Sequence, residues 1–225
     1  MSDPTNQPLD KSAISWHHPR ETPPYTPNLV TLVPDQVDSH LYTISTLRTT
    51  LNNSWAIKDS FATLDLETLG FKVLFEARWL WLDPNRSLYN SASSIKWSRV
   101  RDEPDLERWE HKWRTYQDTD IPRMFPSRLI NLEDVSIIAG RDDLSENSPI
   151  IAGFITCRSE GVIGISNLFG PSGREDEIRA GATKFVRDTE ADSPIVDYEG
   201  VGSEELAAAE RVGYEAVGPL RVWVC

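Results

Sequence analysis

The chain has 225 residues, 35 of them acidic and 23 basic, for a formal net charge of −12. That balance argues against nucleic acid or an anionic membrane surface as partner, because both are held by Lys and Arg on phosphates. With 39% apolar and 26% charged residues the chain can bury a core, yet it holds no apolar run of about 18 residues that would span a bilayer.

The Met1-Ser2-Asp3-Pro4 start lacks the basic and apolar parts of a secretory signal. Two cysteines, Cys157 and Cys225, make no disulfide framework. A reducing compartment, the cytosol, is expected. The terminal Val222-Trp223-Val224-Cys225 is no prenylation box, which places its cysteine four residues from the end.

Residues 1–28 contain Pro4, Pro8, Pro19, Pro23, Pro24 and Pro27 among Ser, Thr and charge. Such a segment cannot bury enough apolar surface to offset its ordering entropy, which predicts a disordered, proline-rich arm. Trp16-His17-His18 within it reads as a solvated aromatic or as a docking spot for a protein partner. From Pro34 to Leu51 a helix is expected: Val37, Leu41, Ile44 and Leu51 share a face behind a capping Asp35. Residues 71–82 are aromatic-rich and partly alternating, a strand pattern broken by Glu76 and Arg78 and stopped by Asp83-Pro84-Asn85. Residues 87–94 read as a linker. Residues 29–92 are expected to be an N-terminal α/β extension or a degenerate half-domain.

A second unit, residues 95–225, opens with a short strand at Trp97 to Val100. Asp102-Glu103-Pro104-Asp105 is a helix start, with a capping side chain, a proline in the first turn and early acids that suit the helix dipole. Leu106, Trp109, Trp113 and Tyr116 follow at helical spacing. Strands are expected at 135–140 and 150–157, separated by a polar turn. Its Asp142, Asp143, Glu146 and Asn147 match no calcium-loop spacing. Ser159-Glu160-Gly161 predicts a tight turn joining 150–157 to 162–168 as a hairpin. A helix follows from Glu175 to Arg187, with Ile178, Ala182, Phe185 and Val186 on one face. Then come a short buried strand at 194–198 and a helix capped by Ser203, carrying Leu206, Ala209 and Val212 and stopped by Gly213. Residues 214–224 supply the last strand or pair.

This order of elements, and the ending Val212-Gly213-Tyr214-Glu215-Ala216-Val217-Gly218, resembles the GNAT superfamily of acyl-CoA-dependent N-acyltransferases. The resemblance covers residues 95–225. It implies an α+β fold, a twisted, mixed and largely antiparallel sheet flanked by helices, with residues 29–92 as an added extension. It also implies acetyl-CoA or another acyl-CoA as co-substrate, a small-molecule amine as acceptor, and no metal.

In that family a loop of the type Arg/Gln-x-x-Gly-x-Gly/Ala presents backbone N–H groups at a helix N-terminus to the CoA pyrophosphate. Unpaired N–H groups and the positive end of the dipole favour an anion there. The matching place is Phe169-Gly170-Pro171-Ser172-Gly173-Arg174, which makes Gly170, Gly173 and Arg174 the cofactor-binding candidates, although the spacing departs from the motif. Pro171 removes one donor. Ser172 and Glu175 have capping-box spacing. Glu175, Asp176 and Glu177 set three carboxylates where a phosphate would go. An ordinary capped helix and a modified CoA site both remain open. Ser166, Asn167 and Leu168, at the end of a strand expected to be buried, are candidates for the place where the thioester lies along the backbone. Asn167 alternatively ties down the following turn.

Acyl transfer needs a base for the amine and an acid for the departing thiolate. The resemblance points to Glu199, Tyr198 and Tyr214. Tyr198 and Glu199 alternate faces on a strand. Asp197 shares the face of Glu199, and paired carboxylates raise one pKa. Tyr214 follows the last helix, whereas the family's tyrosine lies within it.

Other chemistry is poorly served. His17, His18, His40 and His111 are too scattered for a local metal motif. Cys157 lies within an apolar strand and reads as packed. Nucleophile-elbow, Walker and dinucleotide motifs are missing. An acyltransferase is the leading expectation. The alternatives are a catalytically inactive GNAT-fold protein that binds another ligand or a protein partner, and a repurposed enzyme using the same cleft.

Overall fold

A computed structural model gives the structure and describes residues 14–20, 22–23, 25–51, 55–88, 93–117, 120–143, 145 and 148–225. In chain order the elements are β1 (Ser15–His17), β2 (Leu29–Thr31), α1 (Val37–Arg48), β3 (Ala56–Asp59), β4 (Lys72–Leu82), β5 (Lys96–Arg99) and α2 (Glu103–Tyr116). They continue as β6 (Val135–Arg141), β7 (Ile150–Ser159), β8 (Val162–Phe169), α3 (Glu175–Thr189), β9 (Ile195–Gly200), α4 (Glu204–Val212) and β10 (Glu215–Val224). The chain divides into two compact units, residues 1–77 with 218–225, and residues 78–217. From the sequence a boundary is expected between residues 92 and 95. The chain's last residues instead return to the first unit, because the end of β10 pairs with β3 from Arg221↔Asp59 to Val224↔Ala56.

In the first unit the strand order is β1-β2-β3-β10, with β2 and β3 parallel and the other neighbours antiparallel. Its core gathers Leu29, Ile44, Leu47, Ile57, Leu64, Phe71 and Trp223. Trp55 meets Phe71 edge-on with 5.1 Å between ring centroids. Asp59 is fully buried, and its carboxylate accepts from the Leu64 N–H at 2.8 Å. The disordered arm expected over residues 1–28 needs correction where β1 forms. Ser15↔Thr31 and His17↔Leu29 pair, and His18 N–H donates to Asn28 O at 2.8 Å. These ladder bonds offset the ordering entropy that composition alone leaves unmet. Residues 1–13 lie outside the described residues, as do 89–92 of the expected linker and Glu146 and Asn147 of the expected polar turn. Asp35 does not cap α1. The cap position is Gln36, without a side-chain bond, and the buried His40 ties the helix start to Val33 O through Nε2 at 2.9 Å.

In residues 78–217 the order is β4-β9-β8-β7-β6-β5. β5 to β8 form an antiparallel meander, and β8 runs parallel to β9. Local sequence explains the turns and caps. Ser159 pairs with Val162 across Glu160 and Gly161, whose φ angles of 49° and 80° are those of a two-residue hairpin turn. The Asp102 carboxylate accepts from Asp105 N–H at 2.8 Å to open α2. Ser203 accepts from Leu206 N–H at 3.0 Å to open α4, and Gly213, at φ 118°, closes it.

Alternate residues of the sheet face opposite helices. Ile137, Ala139 and Ile155 pack with Leu106, Trp109 and Trp113 of α2. Ile138, Phe154, Ile163 and Ile165 pack with Ala182 and Val186 of α3. Among the described residues no helix is long and apolar enough to cross a membrane.

One irregularity positions the site. Ile155 pairs with Ser166 and Gly153 with Phe169, so Asn167 and Leu168 together stand opposite Phe154 alone. Such a bulge re-aims the strand. Gly153 makes room for it: a Cβ there would come within 2.3 Å of Trp109 Nε1 and 2.6 Å of the Phe169 ring. Gly153→Ala is expected to lower stability in urea unfolding by about 1–3 kcal/mol through overpacking. Gly218→Ala, where a Cβ meets nothing within 4 Å, should leave the midpoint in place.

Candidate active site

The ladder between β8 and β9 consists of Ile163↔Ile195 and Gly164↔Val196. Beyond Gly164 the two strands part. Ser166 and Asn167 are exposed there, Leu168 is half-buried, and Asn167 takes a left-handed backbone at φ 53°, which Asn tolerates better than most residues. The Asn167 amide donates to Ser166 Oγ at 3.3 Å. A cavity of about 180 Å³ opens beside this break. Leu168, Gly170 and Ser172 line it from β8 and its loop, Arg179 from α3, Tyr116 from α2 and Glu205 from α4. The structure thus brings Leu168 and Gly170 together at one cavity. Ser166, Asn167, Gly173, Arg174, Tyr198 and Glu199 are not among the residues that line it.

The loop into α3 differs from the expected capping box. α3 begins at Glu175, its cap position is Arg174, and no side chain caps it. Gly173, at φ 81°, and the turn bond from Arg174 N–H to Pro171 O at 3.3 Å carry the chain into the helix. Ser172 therefore falls two residues too early to cap. It is exposed and lines the cavity. The Glu175 carboxylate instead accepts from Gly173 N–H at 2.8 Å. Arg174 Nε donates to Glu177 at 2.8 Å, and its Nη2 to Ser94 Oγ at 3.0 Å. That bond from Arg174 holds the Glu177 carboxyl at about 2. Asp176 pairs with Arg211 at 2.6 Å.

These contacts test the fit of an acyl-CoA. Gly173 N–H points at a position that accepts an anionic oxygen, with Glu175 as the stand-in. Pro171 has no N–H to add, and Arg174 is engaged by Glu177. The parted strands and the cavity suit the extended acyl-pantetheine portion better than the loop suits the diphosphate.

Beside the cavity lies a buried ionic cluster. Arg179, 1% exposed, donates to Asp197 at 2.5 Å and also bonds Glu199. Its Nε has no hydrogen-bond partner among the described residues. Its guanidinium lies 5.7 Å from the Tyr214 ring centroid, and Tyr214 Oη lies 3.2 Å from Thr183 Oγ1. Burial works against the Arg179 charge, but Asp197 and Glu199 outweigh it and hold its pKa above the ordinary value. Two carboxylates share this one cation. Burial raises Glu199 to about 7 despite the adjacent guanidinium. Asp197 and Glu199 lie on one face of β9, as strand alternation requires.

Tyr198 sits on the other face, edge-on to Trp79 at 5.5 Å, and burial raises its pKa. Tyr214 is 3% exposed, and burial pushes its hydroxyl up to about 12. The structure places Tyr214 in the core and does not bring it to the cavity lining. Arg179 and Thr183 escape a search for apolar helical periodicity. The available signal was that both fall on the stripe of Ile178, Ala182 and Val186, where a charged residue needs a buried partner. Among the described residues no group of three or more His, Cys, Asp or Glu is placed to hold a metal.

No protein-family model and no curated protein matches the chain. Solved structures do. A GCN5-related N-acetyltransferase from Kribbella flavida superposes with a TM-score of 0.59 at 13% identity, covering 87% of this chain and 80% of that one. One from Sphaerobacter thermophilus gives 0.56 at 9% identity, over 88% and 72% of the two chains. A functionally unknown conserved protein from Staphylococcus epidermidis gives 0.59 at 10% identity, over 87% and 83%. The fold is GNAT-like.

Removing the shared cation should be costly. Arg179→Met is expected to lose about 3–5 kcal/mol in denaturant unfolding, because it strands the buried Asp197 and the half-buried Glu199. Glu199 has its folded pKa above the free carboxyl value of 4.5. The stability it contributes is therefore complete below that value and is lost as pH rises through about 7. Melting curves should show wild type falling relative to Glu199→Gln over that window.

Proposed function

We propose that this chain is an acyltransferase that moves an acyl group from an acyl-CoA thioester to a small-molecule amine. The observation that carries the reading is the parting of β8 from β9 past Gly164, at a bulge and beside a cavity. An extended amide chain can add to such a strand through backbone N–H and C=O groups that have no ladder partner in β9. The bound thioester supplies an activated acyl carbonyl. Leu168 and Gly170 position the chain that carries it, while Tyr116 and Pro171 exclude water from the cavity wall. Glu199 is the proton acceptor for the incoming ammonium, since a base works best with a pKa near the operating pH and burial holds this carboxyl at about 7. Arg179 keeps Glu199 in place. Residence in the cytosol is proposed from the cysteine usage.

One observation favours a second reading. The anion position at Gly173 N–H is filled by Glu175, and Arg174 is engaged by Glu177. A GNAT-fold protein that binds another ligand or a protein partner would need no diphosphate site. The exposed Val73, Leu74 and Phe75 of β4 would then serve as a contact surface.

Calorimetric titration with acetyl-CoA separates the two. Under the first reading wild type binds, and Glu175→Ala binds about tenfold tighter by freeing one donor and removing one repulsive charge, a difference of about 1.4 kcal/mol. No heat from either protein up to roughly 1 mM, the weak end of substrate affinities, rules out acyl-CoA. With an amine acceptor, kcat/KM should rise with pH toward about 7 and then level, as expected for a base that must lose its proton. Glu199→Gln should flatten that profile.

A further inference from the structure

A second cavity, about 630 Å³, lies within residues 78–217 at the opposite end of α3 from the first. The helix has 15 residues, so its ends stand roughly 20 Å apart. The size falls within the range of about 300–1,000 Å³ of small-molecule sites.

Its floor is the sheet face that elsewhere packs against α3 with apolar side chains. Here that face changes character: the cross-strand neighbours Ser136 and Thr156 replace apolar residues, beside Ile138 and Ile163. Phe185 and Val186 of α3 form the facing wall. A sheet and helix that only needed to pack would continue the apolar pattern.

The charges at the mouth have an unusual distribution. Arg158 pairs with Glu190 and closes one side. Arg99 and Arg101, and opposite in sign Glu133 and Asp134, also line the cavity, and none of these four has an ion pair among the described residues. Arg99 is nevertheless held in place, because its Nη2 donates to Leu132 O at 3.3 Å and Val135 O at 3.1 Å. An anion alone would meet two carboxylates, and a cation alone two guanidiniums. A ligand carrying both charges on a short frame satisfies each set, with an apolar side chain left for Ile163 and Phe185.

We infer that this cavity binds a small zwitterion with apolar side chains, of the size of an apolar amino acid or dipeptide. Its carboxylate lies toward Arg99 and Arg101, and its ammonium toward Glu133 and Asp134. The site is separate from the acyl-transfer cleft and does not depend on that function.

Saturation-transfer NMR and calorimetry on the full chain test it, with L-leucine, L-leucyl-L-phenylalanine, the N-acetylated dipeptide and the dipeptide amide as probes. The free dipeptide or the free amino acid should bind, and whichever binds more tightly gives the size of the ligand. Each blocked form should bind about tenfold more weakly, the loss of one charge-assisted contact. Arg101→Glu, at an exposed position, should weaken binding by a similar factor with an unchanged melting temperature. Thr156→Trp should fill the cavity and abolish binding. The inference is overturned if neither free zwitterion binds at about 10 mM. Blocked forms that bind equally well, or an Arg101→Glu affinity equal to wild type, overturn it too.

Discussion

A guanidinium almost without solvent contact stands between Asp197 and Glu199, and the geometry of residues 78–217 depends on it. Burying an ion costs several kcal/mol unless partners surround it. Arg179 therefore cannot slide along β9 or turn away from it without stranding a charge. Thr183 and Tyr214 extend the polar cluster, and Ala182 and Val186 pack with Tyr214 in the surrounding core. α3 is thereby held in one register on the sheet. That register sets where its first turn lies and how the loop from β8 reaches it.

The same cluster carries an excess of negative charge, two carboxylates for one cation. Burial raises the Glu199 carboxyl to about 7, and the neighbouring Asp197 charge adds to that rise. The cleft beside it arises from a different constraint. Gly153 admits the Trp109 and Phe169 rings, the bulge at Asn167 and Leu168 turns β8, and β9 no longer follows it. Arg179 of α3 both lines the cavity and holds the two carboxylates of β9. At the start of that helix three acids are already engaged, by Gly173 N–H, Arg211 and Arg174. The loop is held by its own carboxylates.

Much of the fold was legible because its signals are local. The hairpin turn at Glu160-Gly161, the Asp102 and Ser203 caps, the Gly213 stop and the strands of the meander each rest on a few adjacent residues. At most places where legibility failed the deciding partner was distant in sequence, and at the loop into α3 it was the adjacent Gly173. Composition made residues 1–28 an arm, but Ser15–His17 found β2 as a template. Ser172-x-x-Glu175 has the spacing of a capping box, yet Gly173 turns the chain so that the helix starts later. The alternation of β9 placed Asp197 beside Glu199 correctly, while nothing adjacent announced that Arg179 would lie between them.

By itself the sequence determined the order of elements from β5 onward, the caps of α2 and α4, the Glu160-Gly161 turn, the GNAT-like class, and the acids that crowd the start of α3. These follow from short-range periodicity, backbone preferences and fixed charge. Tertiary structure alone decided which carboxylates share a cation, that Tyr214 is sealed in the core rather than set at the cleft, and where β8 leaves β9. Those outcomes depend on burial and on contacts between residues far apart in the chain, and desolvation acts on a charge only once the fold has closed around it.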